Sequence, residues 1–242
     1  MTKTTAALAL ALVALLWLAS CSAPGGGGGS GQDGSGTDGT GTDVTEADPD
    51  LVADLGFEQG QDGGQYDIFG AAWTEGLVGD ALEFDGYDHY VAVPDSEALA
   101  LREAGSVEAW IRADSHRGFA GVLHKGEKKD FSDEAWTLQF WGSDGTLSVI
   151  IVGDDGTLLR LDSTFTLNTG EWYHVAATWD TESLRLYING SENNSRTNTV
   201  GPVRVTDGRL IIGAQLAELY NGTYGHVGFD GVIDGWRCTA AF

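Results

Sequence analysis

From position 51 onward, apolar and polar residues alternate with a period of two. In 106–112, Val107, Ala109 and Ile111 fall on one face and Glu108, Trp110 and Arg112 on the other. Leu147, Val149 and Ile151 alternate in the same way. So do Leu184, Leu186 and Ile188, and Tyr173, Val175, Ala177 and Trp179. A period of two is the signature of a strand with one face against a core. Trp110, Trp172 and Trp179 lie inside these regular runs and are read as core residues. Asn189-Gly190 follows directly on one run and predicts a tight hairpin; Asp144-Gly145 and Asp155-Gly156 predict further turns. Turn signals at this spacing predict an all-β fold, a two-sheet antiparallel β-sandwich or jelly roll. One helical fragment of a single turn or two is expected in 95–104, with Leu99 and Leu101 pinned to the sandwich.

The pattern before position 51 differs. Lys3 is the only charge ahead of an apolar run from Ala6 to Leu18. That run is short of the roughly 20 residues a spanning helix needs, and it has the layout of a signal peptide. Leu18-Ala19-Ser20-Cys21 resembles the lipobox of bacterial lipoproteins. The resemblance implies cleavage after residue 20, diacylglyceryl and acyl (palmitate-type) modification of Cys21, and a stable membrane anchor. Residues 22–50 are rich in Gly, Ser, Thr and Asp and hold almost nothing to bury. They are expected to act as a disordered tether with a reach of roughly 30 Å. The expected organisation is a signal over 1–20, the lipidated Cys21 and tether over 21–50, and one folded domain over 51–242. The protein is expected to be exported and anchored at the outer membrane or cell surface.

Charge narrows the partners. The chain carries 13 basic and 36 acidic residues, a formal net charge of −23. Such a polyanion repels phosphate backbones, which excludes nucleic acid as a partner class. Of the two cysteines, lipidation uses Cys21 and leaves Cys238 without an intrachain partner, so it is expected to be buried in the last strand.

Several segments together carry a family resemblance. These are Gly79-Asp-Ala-Leu-Glu-Phe-Asp-Gly86, Tyr90-Val-Ala-Val-Pro-Asp95, Ser106-Val-Glu-Ala-Trp-Ile111, Gly170-Glu-Trp-Tyr-His-Val-Ala-Ala-Thr-Trp-Asp180, Leu184-Arg-Leu-Tyr-Ile-Asn-Gly190, Leu210-Ile-Ile-Gly213 and Phe229-Asp-Gly-Val-Ile-Asp234. In this order they resemble the laminin-G-like jelly rolls of the concanavalin A-like lectin/glucanase fold. Gly235-Trp236 departs from the family pattern, where an acidic residue and an aliphatic are usual. The resemblance implies two stacked antiparallel sheets and a non-catalytic binding module for carbohydrate or an extracellular partner. A structural or adhesive envelope protein is the alternative, and a glycoside hydrolase a further one.

The resemblance also implies a structural calcium ion where the first strand meets the last. Asp234 matches the family's terminal aspartate. Glu58, Asp62 and Gly64 are the expected companions, since calcium takes oxygen ligands from carboxylates and carbonyls. A catalytic reading would rest on Glu83, Asp85 and Asp88. Paired carboxylates of a retaining glycosidase must face one cleft about 5–5.5 Å apart. Here Gly86 interrupts the run, and the acids are read as turn residues. His174 sits within a strand and is expected to pack or hydrogen-bond. A ligand-binding surface is expected from two loops, one with Trp136, Trp141, Asp130, Asp133 and Glu134, the other with Tyr220, Asn221 and Tyr224. Aromatic planes with polar edges are what sugar sites use. Lys125, Lys128 and Lys129 form a basic knot, read as a solvated hairpin tip.

Overall fold

The structure is a computed structural model that describes residues 51–60, 65–127, 132–218 and 224–239; at 51–55, 216–218 and 224–226 it describes the backbone alone. The signal, Cys21 and the tether lie outside the described residues. One compact unit spans Asp50–Phe242.

The strands are β1 (Leu51–Leu55), β2 (Asp67–Phe69), β3 (Ala72–Glu75), β4 (Asp80–Asp85), β5 (Tyr90–Val93), β6 (Gly105–Ser115), β7 (Gly121–Lys125), β8 (Trp136–Phe140), β9 (Thr146–Val152), β10 (Leu158–Thr166), β11 (Trp172–Trp179), β12 (Ser183–Ile188), β13 (Ser191–Thr197), β14 (Leu210–Ile212), β15 (Ala214–Glu218), β16 (Tyr224–Gly228) and β17 (Asp230–Thr239). Eight of them form one antiparallel sheet in the order β13-β12-β11-β6-β17-β4-β3, with β1 also on β17. Seven form the second, in the order β10-β9-β8-β7-β14-β5-β2. Strands β15 and β16 make a separate two-stranded ribbon. The short strands β2 and β3 close one edge of each sheet, and β14 lies inside the second sheet between β7 and β5.

The alternation does what strand geometry requires. Val107, Ala109, Ile111 and Ala113 of β6 enter the core, as do Leu147, Val149 and Ile151 of β9. The two sheets meet through rings. Trp136 of β8 lies 5.9 Å from Trp179 of β11, and Phe140 stacks on Phe229 at 6.2 Å. Trp179 is a core residue, whereas Trp110 and Trp172 stand half-buried on the outer face of the larger sheet. There Trp110 packs on His174, whose Nε2 is 3.3 Å from Glu108. His174 therefore packs and pairs as its strand position predicts. Asn189 and Gly190 both take left-handed φ, 52° and 75°, in the β12–β13 hairpin, as a two-residue turn that matches strand twist demands. Cys238 is buried in β17.

One local expectation is met and one is corrected. The helical fragment is a single 3-10 turn, Glu97–Leu99, with no side-chain cap bond from Ser96. Leu99 and Leu101 are nonetheless buried, and the Trp179 indole N–H donates to the Leu101 carbonyl. Burial, not helix propensity, fixes this segment. Lys125 is no solvated tip. It is 1% exposed, and its ammonium donates to Asp95 Oδ1 at 2.6 Å and to the Gly208 carbonyl. Lys128 and Lys129 lie outside the described residues.

Candidate functional site

Strand β8 decides where the candidate aromatics go. Trp136, Leu138 and Phe140 alternate into the core, and Thr137 and Gln139 point to the outer face of the seven-stranded sheet. Trp136 is 1% exposed and is not a ligand contact, which corrects its placement on the binding surface. Trp141 follows the end of the strand, emerges at the rim and is 36% exposed. Asp133 and Glu134 precede the strand, so roughly 16 Å of β structure at 3.3 Å per residue separates them from Trp141. Asp133 is buried, its Oδ2 accepting the Glu127 N–H at 2.9 Å. It belongs to a cleft of about 400 Å³ with Asp95, Ser132, Arg204, Thr206 and Asp207. The structure does not bring it together with Trp141. Asp130, Tyr220 and Asn221 lie outside the described residues, and of Tyr224 the backbone alone is described, as the first residue of β16.

A residue outside the expected set stands beside Trp141. Phe119, in the β6–β7 loop, is 46% exposed and meets Trp141 edge to face at 4.9 Å between centroids, with planes 70° apart. Its backbone is left-handed, φ 64°. For a bulky residue this conformation costs on the order of 1–3 kcal/mol. Three bonds hold the loop in place: Ala120 N–H to the Arg117 carbonyl at 3.2 Å, Phe140 N–H to the Ala120 carbonyl at 2.9 Å, and the Gln215 side-chain amide to the Phe119 carbonyl at 2.6 Å. On the other side, the Arg160 guanidinium lies 3.7 Å over the Trp141 ring while it donates to Asp162 at 2.9 Å. A third exposed aromatic, Tyr87, carries Arg117 at 4.0 Å over its face. Its backbone lies against Gly228 at the end of β16. The one signal in the sequence for Phe119 is an aromatic in an otherwise polar loop between two strands. Its left-handed backbone has no such signal, since Gly118 stands beside it.

Behind this rim the outer face of the sheet is polar and closed. Thr137, Gln139 and Ser148 are buried. Ser148 donates to Asp162 Oδ1 at 2.6 Å. Thr137 donates to Glu134 at 2.8 Å, so its oxygen accepts from His124 Nδ1, also at 2.8 Å. Burial pushes the Glu134 carboxyl above its ordinary value; the Thr137 bond and Arg204 oppose that shift. Among the described residues, Gln139 Oε1 is buried with no partner. The β15 backbone passes over Gly121, the neighbour of Gln139 in register, where a Cβ would stand 2.5 Å from Ala214. A side chain at 121 would lift the ribbon off the sheet.

The calcium residues sit elsewhere, on the larger sheet. Asp234 is buried at a bulge in β17, and its Oδ2 accepts the Val78 N–H at 2.9 Å. A Cβ on Gly76 would come within 2.7 Å of that oxygen, and one on Gly79 within 2.3 Å of Glu58 Oε1. Both carboxylates thus reach one glycine-rich turn, Gly76 to Gly79. Burial raises the Asp234 pKa, the Val78 and Leu77 amides oppose the rise, and the charge of Glu58 adds to it. A buried carboxylate with a second carboxylate beside it offers oxygen ligands of the kind a hard cation takes. Asp62 and Gly64 lie outside the described residues.

Of the carboxylates of the catalytic reading, Asp85 and Asp88 come together with His89, each offering an atom within 4.8 Å of the others. Glu83 is exposed on β4. Asp85 closes its own loop by accepting the Tyr87 N–H at 2.8 Å and the His89 N–H at 3.4 Å. Burial acts to raise its pKa, but these amides and the His89 ring outweigh it and hold the carboxyl below its ordinary value. A general acid needs the opposite shift.

Solved structures share this architecture at low identity. Domain 4 of AbnA, an extracellular arabinanase of Geobacillus stearothermophilus solved with arabinotriose, is 20% identical with a TM-score of 0.59; the match covers 79% of this chain and 92% of that one. The binding domain of Paraclostridial Mosquitocidal Protein 1 is 15% identical with a TM-score of 0.59, over 79% of this chain and 49% of that one. The ligand-binding domain of botulinum neurotoxin serotype D, solved with N-acetylneuraminic acid, is 15% identical with a TM-score of 0.58, over 79% and 47%. The chain thus spans about half the length of these toxin domains. No curated protein matches it in sequence. A laminin G-type family model matches residues 85–238, and with the two-sheet jelly roll just described, the chain belongs to the concanavalin A-like lectin/glucanases superfamily.

Proposed function

We propose that this protein is a non-catalytic glycan-binding module, displayed outside the cell on a lipid anchor at Cys21 and the tether that follows. The observation that carries the reading is the Phe119–Trp141 rim. Two exposed aromatic rings, one backed by Arg160, stand at the edge of a buried polar face. Aromatic faces meet the C–H faces of sugars, and nearby amides and carboxylates meet their hydroxyls. The arabinotriose and N-acetylneuraminic acid complexes of similarly folded domains lend support. Glu58 and Asp234 serve as carboxylate ligands of a structural calcium ion, away from the sugar site.

Native gel electrophoresis of residues 45–242 through soluble arabinan, xylan and galactan tests the reading, alongside a pull-down on microcrystalline cellulose. Retardation in at least one soluble polysaccharide, lost in Trp141→Ala, is the expected result. Mobility unchanged in every gel, with no cellulose binding, sinks it.

A further inference from the structure

We infer that Phe119 is a ligand-contacting, specificity-determining residue, and that the corner it forms with Trp141 takes a single sugar unit of a soluble glycan chain rather than a flat crystalline surface. The inference rests on the glycan-binding reading and deepens it.

The backbone at Phe119 is left-handed, φ 64°, where a Cβ crowds the chain and glycine is the favoured residue. Gly118 is its immediate neighbour, yet the left-handed position falls on the phenylalanine. Burial does not offset the strain, since the ring is 46% exposed. The strain persists because the loop is tied on both sides: Gln215 holds the Phe119 carbonyl, and Ala120 is bonded to Arg117 and Phe140. Strain of this kind, over-determined by its surroundings and attached to an exposed aromatic, points to function at that side chain. A fully buried amide oxygen without a partner among the described residues, on Gln139 of β8, lies two positions before Trp141.

The angle between the rings sets the ligand class. A crystalline polysaccharide presents aligned chains in a plane and needs coplanar rings to meet it. Phe119 and Trp141 stand 70° apart, and one face of Trp141 is taken by Arg160 at 3.7 Å. One sugar ring can lie on the face of one ring with the other ring beside it; an extended flat surface cannot lie on both.

The test compares Phe119→Gly, Phe119→Ala and Phe119→Tyr in the 45–242 protein, with the same polysaccharide gels and a thermal melt. Glycine and alanine both remove the ring, but alanine alone keeps the strain. The expected result is a loss of at least about tenfold in affinity for the retarding polysaccharide in both, near wild-type affinity in Phe119→Tyr, and a midpoint for Phe119→Gly at least about 2 °C above Phe119→Ala. Wild-type affinity in the glycine and alanine variants would overturn the contact while leaving the module's glycan binding intact. Equal midpoints for those two variants would overturn the strain argument. Retention on microcrystalline cellulose without retardation in any soluble polysaccharide would overturn the ligand class. A wild-type protein that binds no polysaccharide overturns this inference together with the reading beneath it.

Discussion

Lys125 Nζ lies 2.6 Å from Asp95 Oδ1, with 2% of the lysine side chain and 35% of the aspartate side chain exposed. The ammonium also donates to the Gly208 carbonyl and, at 3.4 Å, to that of Thr206. A tethered cation therefore sits in a cage of oxygens and joins β7 to the loop ahead of β14 and to the segment after β5. Breaking a buried pair by removing one partner costs about 3–5 kcal/mol, because the other is left uncompensated. The two sides are not equivalent. Asp95 can rehydrate, whereas Lys125 cannot. Asp95→Asn, which strands the buried ammonium, is expected to lower the unfolding free energy by about 3 kcal/mol. Lys125→Met, which removes the charge and leaves Asp95 to water, is expected to cost less. Urea melts of the two variants check the order.

Asp234 and Glu58 give a calcium prediction with a definite pH dependence. Burial, with the charge of Glu58, raises the Asp234 pKa. In the metal-free domain, Asp234 therefore contributes stability while protonated, and that contribution fades as pH rises through its folded value. Calcium needs the carboxylate and must displace the proton, so its affinity is expected to increase with pH. Melting with calcium and with EDTA should show a gain of about 2.7 kcal/mol at 100 times the dissociation constant. The gain should be larger at pH 8 than at pH 5 and absent in Asp234→Ala. An identical melt with and without calcium at both pH values would remove the ion from the account.

The sequence reading succeeded where one strand face met solvent. Period two placed Val107, Ala109 and Ile111 inward and Glu108 and Arg112 outward on β6, and the structure agrees. It was less informative for β8, where both faces are buried. Thr137 and Gln139 look like solvated positions, because nothing local reveals that β15 crosses over Gly121 nearby. The same alternation could have separated Trp136 from Trp141: the first is in phase with Leu138 and Phe140, and the second is not. Phe119 had no comparable signal, since a left-handed backbone at a non-glycine residue is imposed by the bonds around it. The resemblance pointed to Asp234 through a terminal aspartate at a fixed place in the strand order, and the structure buries that carboxylate at the β17 bulge.

The lipid anchor is testable apart from the fold. Two or more acyl chains hold a protein at a membrane, since each buried methylene contributes about 0.8 kcal/mol. In bacterial cells fed radioactive palmitate, the full chain should incorporate label and remain with the membrane fraction. Cys21→Ser should incorporate none and be found in the soluble or extracellular fraction. Label retained in Cys21→Ser would move the modification elsewhere.

Glu134 offers a pH effect of its own at the far end of β8. Its Oε1 accepts the Thr137 hydroxyl at 2.8 Å, and Thr137 in turn accepts from His124. Burial raises the Glu134 pKa, against the opposing pull of Thr137 and Arg204. A carboxyl whose folded value lies above its unfolded one stabilises the fold when protonated, and this contribution is lost as pH rises through the folded value. Glutamine keeps an acceptor for Thr137 and carries no charge at any pH. Glu134→Gln is therefore expected to match wild type at pH 4 and exceed it at pH 8, by about 1–3 kcal/mol, the range for an imperfectly compensated buried polar group. Unfolding free energies from urea melts across that range check both the sign and the pH at which the two curves part. A variant less stable than wild type at pH 8 would mean that the ionised carboxylate, paired with Arg204, is the form the fold prefers.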